Sequence, residues 1–269
     1  MREMTFTPVQ PASGSEPLQS QLGRDMKLRH VVESQQFTVP LLMDLFNRAR
    51  GMERVVARGG TLDYQNKIMA TLFYQPSTRT RFSFEAAMHR LGGRVLSTEH
   101  ARAFSSEIEA EQVEDSIRII GSYSDVIVIR HHEEGGAKRA AQVSPVPVIN
   151  AGDGNGGQHP TQALLDLYTI YRERPLDGLS VAIIGELDRG RTARSLAYLL
   201  AKFERVRIFF VSPPEMQMKP DILEYLEAWH ALRGGAGDWP GDRGGGRGIS
   251  NAHPAGAGRG SSRLESVYH

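Results

Sequence analysis

Residues 77–81, with the sequence STRTR, are a candidate anion-binding site because hydroxyl and guanidinium groups meet at the start of a predicted helix. The backbone amides of a first helical turn have no partner within the helix, and the helix dipole adds positive potential there, so this end can hold a phosphate. Arg79 and Arg81 are two residues apart and cannot share one helical face. We therefore expect Arg79 to face the ligand and Arg81 to make a structural pair. The alternative is a capped helix with two solvated arginines.

A glycine-rich stretch, residues 150–162, is a second candidate site because it follows a predicted strand and runs directly into a helix. Its glycines let the backbone approach a ligand closely, and Pro160 suits the first helical turn. His159 and Gln162 are three residues apart and are therefore neighbours at the helix start. There an imidazole and an amide can polarise and orient a carbonyl group. The alternative is a flexible loop with a capping histidine.

Two further arginines lie where a strand ends or a helix begins. Arg130 is the last residue of a predicted strand, and the carboxyl ends of parallel strands meet at one ligand crevice. Residues 185–192 look like a phosphate-binding P-loop, but Arg191 stands where that motif requires lysine. A nucleotide-binding function therefore has little support, whereas Arg191 at a helix start suits an anionic carboxylate.

The adjacent histidines His131 and His132 raise the question of a metal site. Neighbouring residues of a strand point to opposite sides, so we expect no shared ion and a solvated sheet edge. The chain has no cysteine, which excludes thiolate metal sites, disulfides and thiol catalysis.

Continuous apolar runs alternate with amphipathic segments between residues 26 and 228. Such alternation is typical of buried parallel strands in α/β layers. Strands are predicted at 67–74, 94–98, 125–130, 146–150, 179–186 and 206–211. Helices are predicted at 39–56, 81–91, 111–123, 134–143, 161–173, 191–203 and 220–228.

Composition excludes several classes of protein. The 32 basic and 31 acidic residues among 269 give a net charge of +1, which argues against a nucleic-acid binder held by broad phosphate contacts. No apolar run approaches the length of a bilayer span, and the N-terminus lacks the apolar centre of a secretory signal. The absence of cysteine fits a reducing compartment, and we expect a cytoplasmic protein without membrane or nucleic-acid partners.

Both ends of the chain differ from its middle. Residues 1–25 are rich in Pro, Ser, Gln and Gly and predict a disordered arm. Residues 229–269 contain eleven glycines and no lysine, and they show neither helical nor strand periodicity. Such a segment buries too little surface to offset its ordering entropy, so a disordered Gly/Arg-rich tail is predicted. An out-of-frame reading of GC-rich coding sequence would give the same composition.

Four stretches together resemble the catalytic chains of the aspartate/ornithine carbamoyltransferase family, in the wording of its aspartate branch. They are FYQPSTRTRFSFEAAMHRLGG (73–93), residues 122–139, VPVINAGDGNGGQHPTQALLDLYTI (146–170) and GRTARSLAYLLAKF (190–203). The resemblance implies an α/β fold of two parallel-sheet domains with helices on both faces. A carbamoyl-phosphate-binding domain would span 26–160, and a partial aspartate-binding domain would span 161–228. The second domain would be incomplete, because the family's later aspartate-binding segments and its final helix are absent.

The resemblance also implies an activity and an assembly. The family's aspartate branch transfers a carbamoyl group from carbamoyl phosphate to the amine of L-aspartate, giving N-carbamoyl-L-aspartate and phosphate in pyrimidine (UMP) biosynthesis. No cofactor and no metal are implied. The expected partners are the two substrates, two further copies of the chain in a homotrimer with shared active sites, and a regulatory subunit.

The family's roles fall on residues that follow strands or begin helices. Those that would hold the phosphate are Ser77, Thr78, Arg79 and Thr80. Those that would polarise the carbamoyl oxygen are Thr80, Arg130 and His159. Gln162 would orient the carbamoyl nitrogen, and Arg191 would bind a carboxylate of aspartate. The implied catalytic residues are Arg79, Thr80, Arg130 and His159.

Several residues depart from the family pattern. At Glu109 the family has a lysine that reaches the neighbouring subunit's site, and Ser105 matches a serine of the same inter-subunit loop. An acidic group there repels an anionic ligand. Gln75 stands where the family usually has a glutamate that pairs with an arginine. With the atypical tail, these departures predict very slow turnover and support an alternative, a non-catalytic remnant or assembly partner that keeps carbamoyl-phosphate binding.

Overall fold

A computed structural model describes residues 28–99, 113–232 and 250–252. The predicted arm (1–25), the loop with Ser105 and Glu109, and most of the predicted tail lie outside the described residues. The helices are α1 (Val39–Ala57), α2 (Thr78–Arg90), α3 (Val113–Gly121), α4 (Gly136–Val143), α5 (Pro160–Glu173), α6 (Arg191–Leu200) and α7 (Pro220–Leu232). The strands are β1 (Ile68–Phe73), β2 (Arg94–Glu99), β3 (Val126–Arg130), β4 (Val148–Asn150), β5 (Ser180–Ile184), β6 (Arg207–Val211) and β7 (Ser250–Ala252). Among these helices, none combines the length and the apolar character needed to cross a membrane.

Four parallel strands form the first sheet in the order β2-β1-β3-β4. Phe73, the last residue of β1, pairs with Arg130 at the end of β3. Ile129 pairs in turn with Asn150 at the end of β4. The segments that follow β1, β3 and β4 therefore leave the sheet side by side at its carboxyl edge, as the sequence predicts.

Helices cover both faces of the first sheet because its strands are apolar on both sides. On one face, Ile129 belongs to a buried cluster with Ile117 of α3 and Ala140 of α4. On the other face, Val128 belongs to a cluster with Met88 of α2. The strand that carries Arg130 is therefore enclosed along its length and reaches solvent at its end.

Three parallel strands form the second sheet in the order β5-β6-β7, and the described helices cover one of its faces. Phe210 of β6 belongs to the main core with Leu199 of α6 and Ile222 of α7. On the opposite face, Ile184 is 74% exposed and Phe209 is 40% exposed. The predicted α/β class with parallel sheets is confirmed. In the described part of this second sheet, however, helices do not cover both faces, because α6 and α7 return to the same side.

Helix α1 packs against residues that lie far along the chain. Thr38 caps the helix through its side chain. Leu42 and Phe46 on its apolar face belong to the same core as Leu167 of α5 and Leu199 of α6. The first helix therefore depends on the layer of helices that covers the second sheet.

Two elements near the C-terminus differ from the prediction. Helix α7 continues to Leu232, beyond the expected end at residue 228. Strand β7 pairs in parallel with β6. The disorder predicted for 229–269 is therefore wrong at residues 229–232 and 250–252. An open strand edge presents unpaired N–H and C=O groups, and an extended segment can add to it through its backbone whatever its side chains. Such a strand pairs through its backbone alone, so the hydrophobic periodicity of its side chains does not predict it.

Candidate active site at the carboxyl edge of the first sheet

Helix α2 begins directly after β1 and presents its N-terminus at the sheet edge. Ser77 is the N-cap residue, but its side chain makes no capping hydrogen bond. Thr78 and Arg79 are exposed, and Thr80 is half-buried. The residues predicted to bind phosphate therefore surround a helix start, where the backbone amides and the helix dipole favour an anion.

The two arginines of this segment have different surroundings. Arg81 Nε lies 3.8 Å from Glu85 Oε1. The same carboxylate oxygen accepts hydrogen bonds from the hydroxyls of Thr71 (3.0 Å) and Ser97 (2.6 Å). Arg81 is thus tied to a polar cluster between α2 and the sheet, whereas Arg79 is exposed. The arrangement agrees with the expectation from their spacing that one arginine makes a structural pair.

Arg130 and His159 approach each other from β3 and from the start of α5, with Gly152 between them. A Cβ atom added to Gly152 would lie 3.1 Å from Arg130 Nη1 and 3.1 Å from His159 Cδ2. Gly152 has a φ of +104°, in the region that favours glycine. Arg130 Nη1 also donates to the Ala151 carbonyl oxygen at 3.3 Å. A glycine of the loop therefore sets the spacing of two candidate catalytic side chains.

His159 is buried and is held through both its backbone and its ring. Its N–H donates to Ser195 Oγ of α6 at 2.9 Å, and its ring Nδ1 lies 3.3 Å from Thr161 Oγ1. Burial, together with the charges of Arg130 and Arg191, lowers the pKa of His159 to about 4. The imidazole is therefore neutral at neutral pH and can donate from one ring nitrogen to a carbonyl-type oxygen.

Two half-buried arginines give this edge its positive charge. Burial and the charge of Arg191 lower the pKa of Arg130 to about 10. Burial also lowers the pKa of Arg191, and the charge of Asp153 opposes that shift. Arg191 begins α6 and donates from Nη1 to Gln75 Oε1 at 3.2 Å. Gln75, which stands where the resemblance implies a glutamate, thus contacts an arginine as a neutral acceptor. Neighbouring cations in a partly buried site favour an anionic ligand.

Gln162 lies at the first turn of α5 and is half-buried. Its Nε2 donates to Asp166 Oδ1 at 2.9 Å, and its backbone N–H donates to the His159 carbonyl oxygen at 3.1 Å. Burial raises the pKa of Asp166, while the hydrogen bond from Gln162 acts in the opposite direction. His159 and Gln162 are therefore adjacent at the helix start, as their three-residue spacing requires.

Sequence reasoning missed a buried polar network that shapes the glycine-rich loop. Asp153 is 4% exposed. It accepts hydrogen bonds from Asn150 Nδ2 (3.1 Å), the Gln158 N–H (3.0 Å) and the Gly135 N–H (2.9 Å). Asn150 Oδ1 in turn accepts from the Gly152 N–H at 2.8 Å. An Asn and an Asp in a turn-forming stretch are residue types that bond nearby backbone, and that signal could have identified the network.

The solvated edge predicted for the histidine pair after β3 is wrong for His131. His131 is 4% exposed, and its ring centroid lies 4.3 Å from that of His132 and 4.9 Å from that of Tyr74. Strand β3 ends at Arg130 and the chain then turns, with the Glu133 N–H donating to His131 Nδ1 at 3.1 Å. His131 and His132 therefore lie beyond the strand, where neighbouring side chains need not point to opposite sides. Within the described ranges, no group of three or more potential metal ligands comes together.

The edge as a whole combines a helix N-terminus, two arginines and a neutral imidazole. Donors that are held in place before reaction stabilise negative charge as it develops on a carbonyl oxygen. The arrangement therefore suits a reaction through a tetrahedral oxyanion on a phosphorylated or otherwise anionic substrate. Ser105 and Glu109 lie outside the described residues and do not enter this geometry.

Comparison with known proteins assigns the family. The family model described as "Aspartate/ornithine carbamoyltransferase, carbamoyl-P binding domain" matches residues 29–172, more than half of the chain. The chain belongs to the aspartate/ornithine carbamoyltransferase family. The matched region contains the start of α2, Arg130, His159 and Gln162, and it ends before Arg191.

Individual relatives are aspartate carbamoyltransferases. Aspartate carbamoyltransferase 1, chloroplastic, from Pisum sativum is 55% identical over 214 residues, covering 79% of this chain and 55% of that protein. Aspartate carbamoyltransferase, chloroplastic, from Oryza sativa subsp. japonica is 51% identical over 222 residues, covering 80% of this chain and 61% of that protein. A crystal structure of aspartate transcarbamoylase from Trypanosoma cruzi with carbamoyl phosphate and aspartate shares 40% identity at a TM-score of 0.71, covering 77% of this chain and 68% of that one.

The comparisons also give the extent of the match and bear on the predicted location. The chain spans 55% and 61% of the lengths of the two plant carbamoyltransferases. Both plant proteins are named chloroplastic. The predicted cytoplasmic location is therefore wrong.

Proposed function

We propose that the carboxyl edge of the first sheet binds carbamoyl phosphate and transfers its carbamoyl group to L-aspartate. The observation that carries this proposal is the approach of Arg130 and a neutral His159 across Gly152. This pair lies on the strand and loop next to the strand that leads into α2. The ligands named for the Trypanosoma cruzi structure are the same two substrates, and the plant relatives are named for the same reaction.

The phosphate group is bound at the start of α2 in this proposal. The first-turn amides and the hydroxyls of Ser77, Thr78 and Thr80 supply hydrogen bonds there, and Arg79 supplies a charge that can contact two phosphate oxygens at once. Arg81 is held away by Glu85. The proposal therefore gives the two arginines of the segment separate tasks.

The carbamoyl group lies between the phosphate and the glycine-rich loop. The aspartate amine attacks the carbamoyl carbon, the new N–C bond forms, and the carbonyl π electrons move to oxygen, where Thr80, Arg130 and His159 stabilise the oxyanion. Collapse of this intermediate breaks the C–O bond to phosphate, and the departing phosphate accepts the proton lost by nitrogen. Gln162 orients the carbamoyl nitrogen, and Arg191 binds an aspartate carboxylate. Orientation and electrostatic stabilisation carry the acceleration, without a covalent enzyme intermediate.

The proposal extends to domains, assembly and location. Residues 26–160 would form the carbamoyl-phosphate-binding domain and residues 161–228 the partial aspartate-binding domain. The chain would form a homotrimer in which the loop with Ser105 and Glu109 reaches the neighbouring site, and it would associate with a regulatory subunit. Sedimentation velocity of the full chain tests the trimer. The chloroplastic names of the plant relatives favour a plastid location.

A second candidate function is carbamoyl-phosphate binding without turnover. The face of the second sheet that the described helices leave open favours it, because the apolar side chains of Ile184 and Phe209 are exposed there. The position of Glu109, where the family has lysine, points in the same direction. Both candidates share the carbamoyl phosphate site and differ in whether the product forms.

Calorimetric titration with phosphonoacetamide, a stable analogue of carbamoyl phosphate, tests the binding of carbamoyl phosphate that both candidate functions require. Arg79→Ala should weaken binding by roughly 30-fold, because loss of a charge-assisted pair costs about 2 kcal/mol. Arg90→Ala is the matched control, since Arg90 is exposed at the other end of the same helix. Binding by the control must stay within about twofold of the unmodified chain.

Absence of phosphonoacetamide binding by the unmodified chain would reject both candidates. Equal binding by Arg79→Ala and Arg90→Ala would remove Arg79 from the site. When binding is present, incubation with carbamoyl phosphate and radiolabelled L-aspartate separates the candidates. Labelled N-carbamoyl-L-aspartate supports the enzyme, and its absence supports the binding protein.

A further inference from the structure

Asp153 is a buried carboxylate to which the proposed reaction assigns no task. Burial of an ionised carboxylate is costly unless hydrogen bonds or a counter-charge compensate for the lost water. Three donors compensate here, and they come from the Asn150 side chain and from the backbone of Gln158 and Gly135. An apolar or small side chain at position 153 would avoid the free-energy cost of burying a carboxylate. We therefore expect the Asp153 carboxylate to have a specific role.

The hydrogen bonds of Asp153 join two segments that carry candidate catalytic residues. Oδ1 accepts from the Gln158 N–H, one residue before His159. Oδ2 accepts from the Gly135 N–H, in the turn that follows Arg130 and β3. One carboxylate therefore links the end of the glycine-rich loop to the segment that leaves β3.

These two segments also touch through their backbones. The Gly154 N–H donates to the His131 carbonyl oxygen at 3.1 Å. A Cβ atom on Gly154 would lie 2.2 Å from the Glu134 nitrogen, so no side chain fits between the segments. At such close contact, a small sliding of the loop would change the distance between Arg130 and His159, which Gly152 already keeps short.

Asp153 also acts on the charge of the site. Its carboxylate favours the charged form of Arg191, against the effect of burial. The same residue therefore affects the site through its hydrogen bonds and through its charge. An amide at this position would keep the size of the side chain but lose the charge and one of the two accepting oxygens, and with it the link between the two segments.

We propose that Asp153 is a positioning residue whose carboxylate holds the segment that carries Arg130 and the loop that ends at His159 at a fixed separation, so that both side chains meet one carbamoyl group. The inference rests on the proposed function for the identity of the ligand. It rests on the structure alone for the placement of the two side chains.

The variant that tests the inference is Asp153→Asn, and its matched control is Asp125→Asn. Asp125 precedes β3 at the opposite edge of the same sheet, and its Oδ2 also accepts a backbone N–H, that of Ile68, at 2.9 Å. Both changes replace one carboxylate oxygen by a donor that cannot accept a hydrogen bond. Phosphonoacetamide affinity is measured by calorimetry, and the His159 ring resonances, assigned with His159→Gln, are measured by NMR at a temperature where both variants are folded.

Asp153→Asn should weaken phosphonoacetamide binding by about tenfold or more and shift the His159 ring resonances. Asp125→Asn should change affinity by less than about twofold and leave those resonances in place. A carboxylate with a purely structural role would lower the melting temperature of Asp153→Asn without changing the affinity or the ring resonances of the folded molecules. That result would overturn the inference.

The outcomes separate the inference from the proposed function. If the unmodified chain does not bind phosphonoacetamide, the proposed function fails, and the His159 resonances alone decide for or against Asp153. If Asp153→Asn does not fold, Asp153→Glu replaces it, because the longer side chain keeps the charge but moves the carboxylate relative to the two segments that it joins. The same measurements should then show a loss of about threefold or more with shifted His159 resonances, and unchanged values would again overturn the inference.

Discussion

Substitution of Gly152 tests how closely Arg130 and His159 must approach for the ligand to bind. The methyl group of Gly152→Ala would lie 3.1 Å from Arg130 Nη1 and 3.1 Å from His159 Cδ2. Ordinary contact needs about 3.5–4.0 Å, so the two side chains must separate by several tenths of an ångström. The backbone adds a second cost, because the φ of +104° is unfavourable for an L-residue by roughly 1–2 kcal/mol.

Gly178→Ala is the matched control for the backbone cost. Gly178 has a φ of +74°, and a Cβ atom added there would meet nothing within 4 Å. Both variants should therefore lose roughly 1–2 kcal/mol of unfolding free energy, which lowers the melting temperature by roughly 2–8 °C for a chain of this size. Of the two variants, only Gly152→Ala places a methyl group against Arg130 and His159.

Phosphonoacetamide affinity then reports the crowding. Because a hydrogen bond contributes about 0.5–1.5 kcal/mol, lengthening the ligand contacts of Arg130 and His159 by several tenths of an ångström should weaken binding by roughly three- to tenfold in Gly152→Ala. Gly178→Ala should bind as the unmodified chain does. Equal affinity in the two variants, with the expected loss of stability in both, would refute the idea that Arg130 and His159 act together on one ligand.

Three further predictions concern charge and exposure. The pKa of His159 is about 4 in the folded chain and about 6.5 when unfolded, so the unfolded state binds more protons between these values and stability falls as the pH drops through this range. Urea unfolding at pH 7 and pH 4.5 should show a loss that is roughly 2–3 kcal/mol larger for the unmodified chain than for His159→Gln, and equal losses would contradict the buried neutral ring. Gln75→Glu places a carboxylate 3.2 Å from Arg191 Nη1, an attraction of roughly 5 kcal/mol at an effective dielectric near 20 that desolvation largely cancels. The melting temperature should rise by a few degrees at low salt, and a fall would argue against this contact. Because Ile184 and Phe209 are exposed on one sheet face, the dye ANS should fluoresce with the unmodified chain and much less with Ile184→Thr/Phe209→Thr; undiminished fluorescence would place the dye elsewhere.

The position of the candidate site could be predicted from the sequence because its residues lie at, or directly after, the carboxyl ends of predicted strands. Arg130 ends a predicted strand that is continuously apolar, without the polar–apolar alternation of a half-exposed strand. Such strands are typical of parallel sheets, in which the carboxyl ends of the strands lie together. In the structure, Phe73 pairs with Arg130 and Ile129 pairs with Asn150, so these strand ends do lie together. The different surroundings of Arg79 and Arg81 could also be predicted, since their helical spacing alone places them on different faces.

Other features depend on partners that come from distant segments. Asp153 receives one of its hydrogen bonds from Gly135, and nothing in the local sequence announces that contact. His131 is buried because the chain turns after β3, where a strand period no longer applies. The exposure of Ile184 could not be read from β5, since an apolar strand looks the same whether one or two of its faces are covered.

The packing of helix α1 has a consequence for the order of events during synthesis. Leu42 and Phe46 find their core partner Leu199 about 150 residues later in the chain. A ribosome adding about 5–20 residues per second needs roughly 8–30 s to cover that distance. Nascent helices and collapsed chains form in microseconds, so the apolar face of α1 exists for many seconds before its partners do. Helix α1, the earliest of the described helices to be synthesised, is therefore among the last of them to be buried, and until then its apolar face is open to chaperones and to other nascent chains.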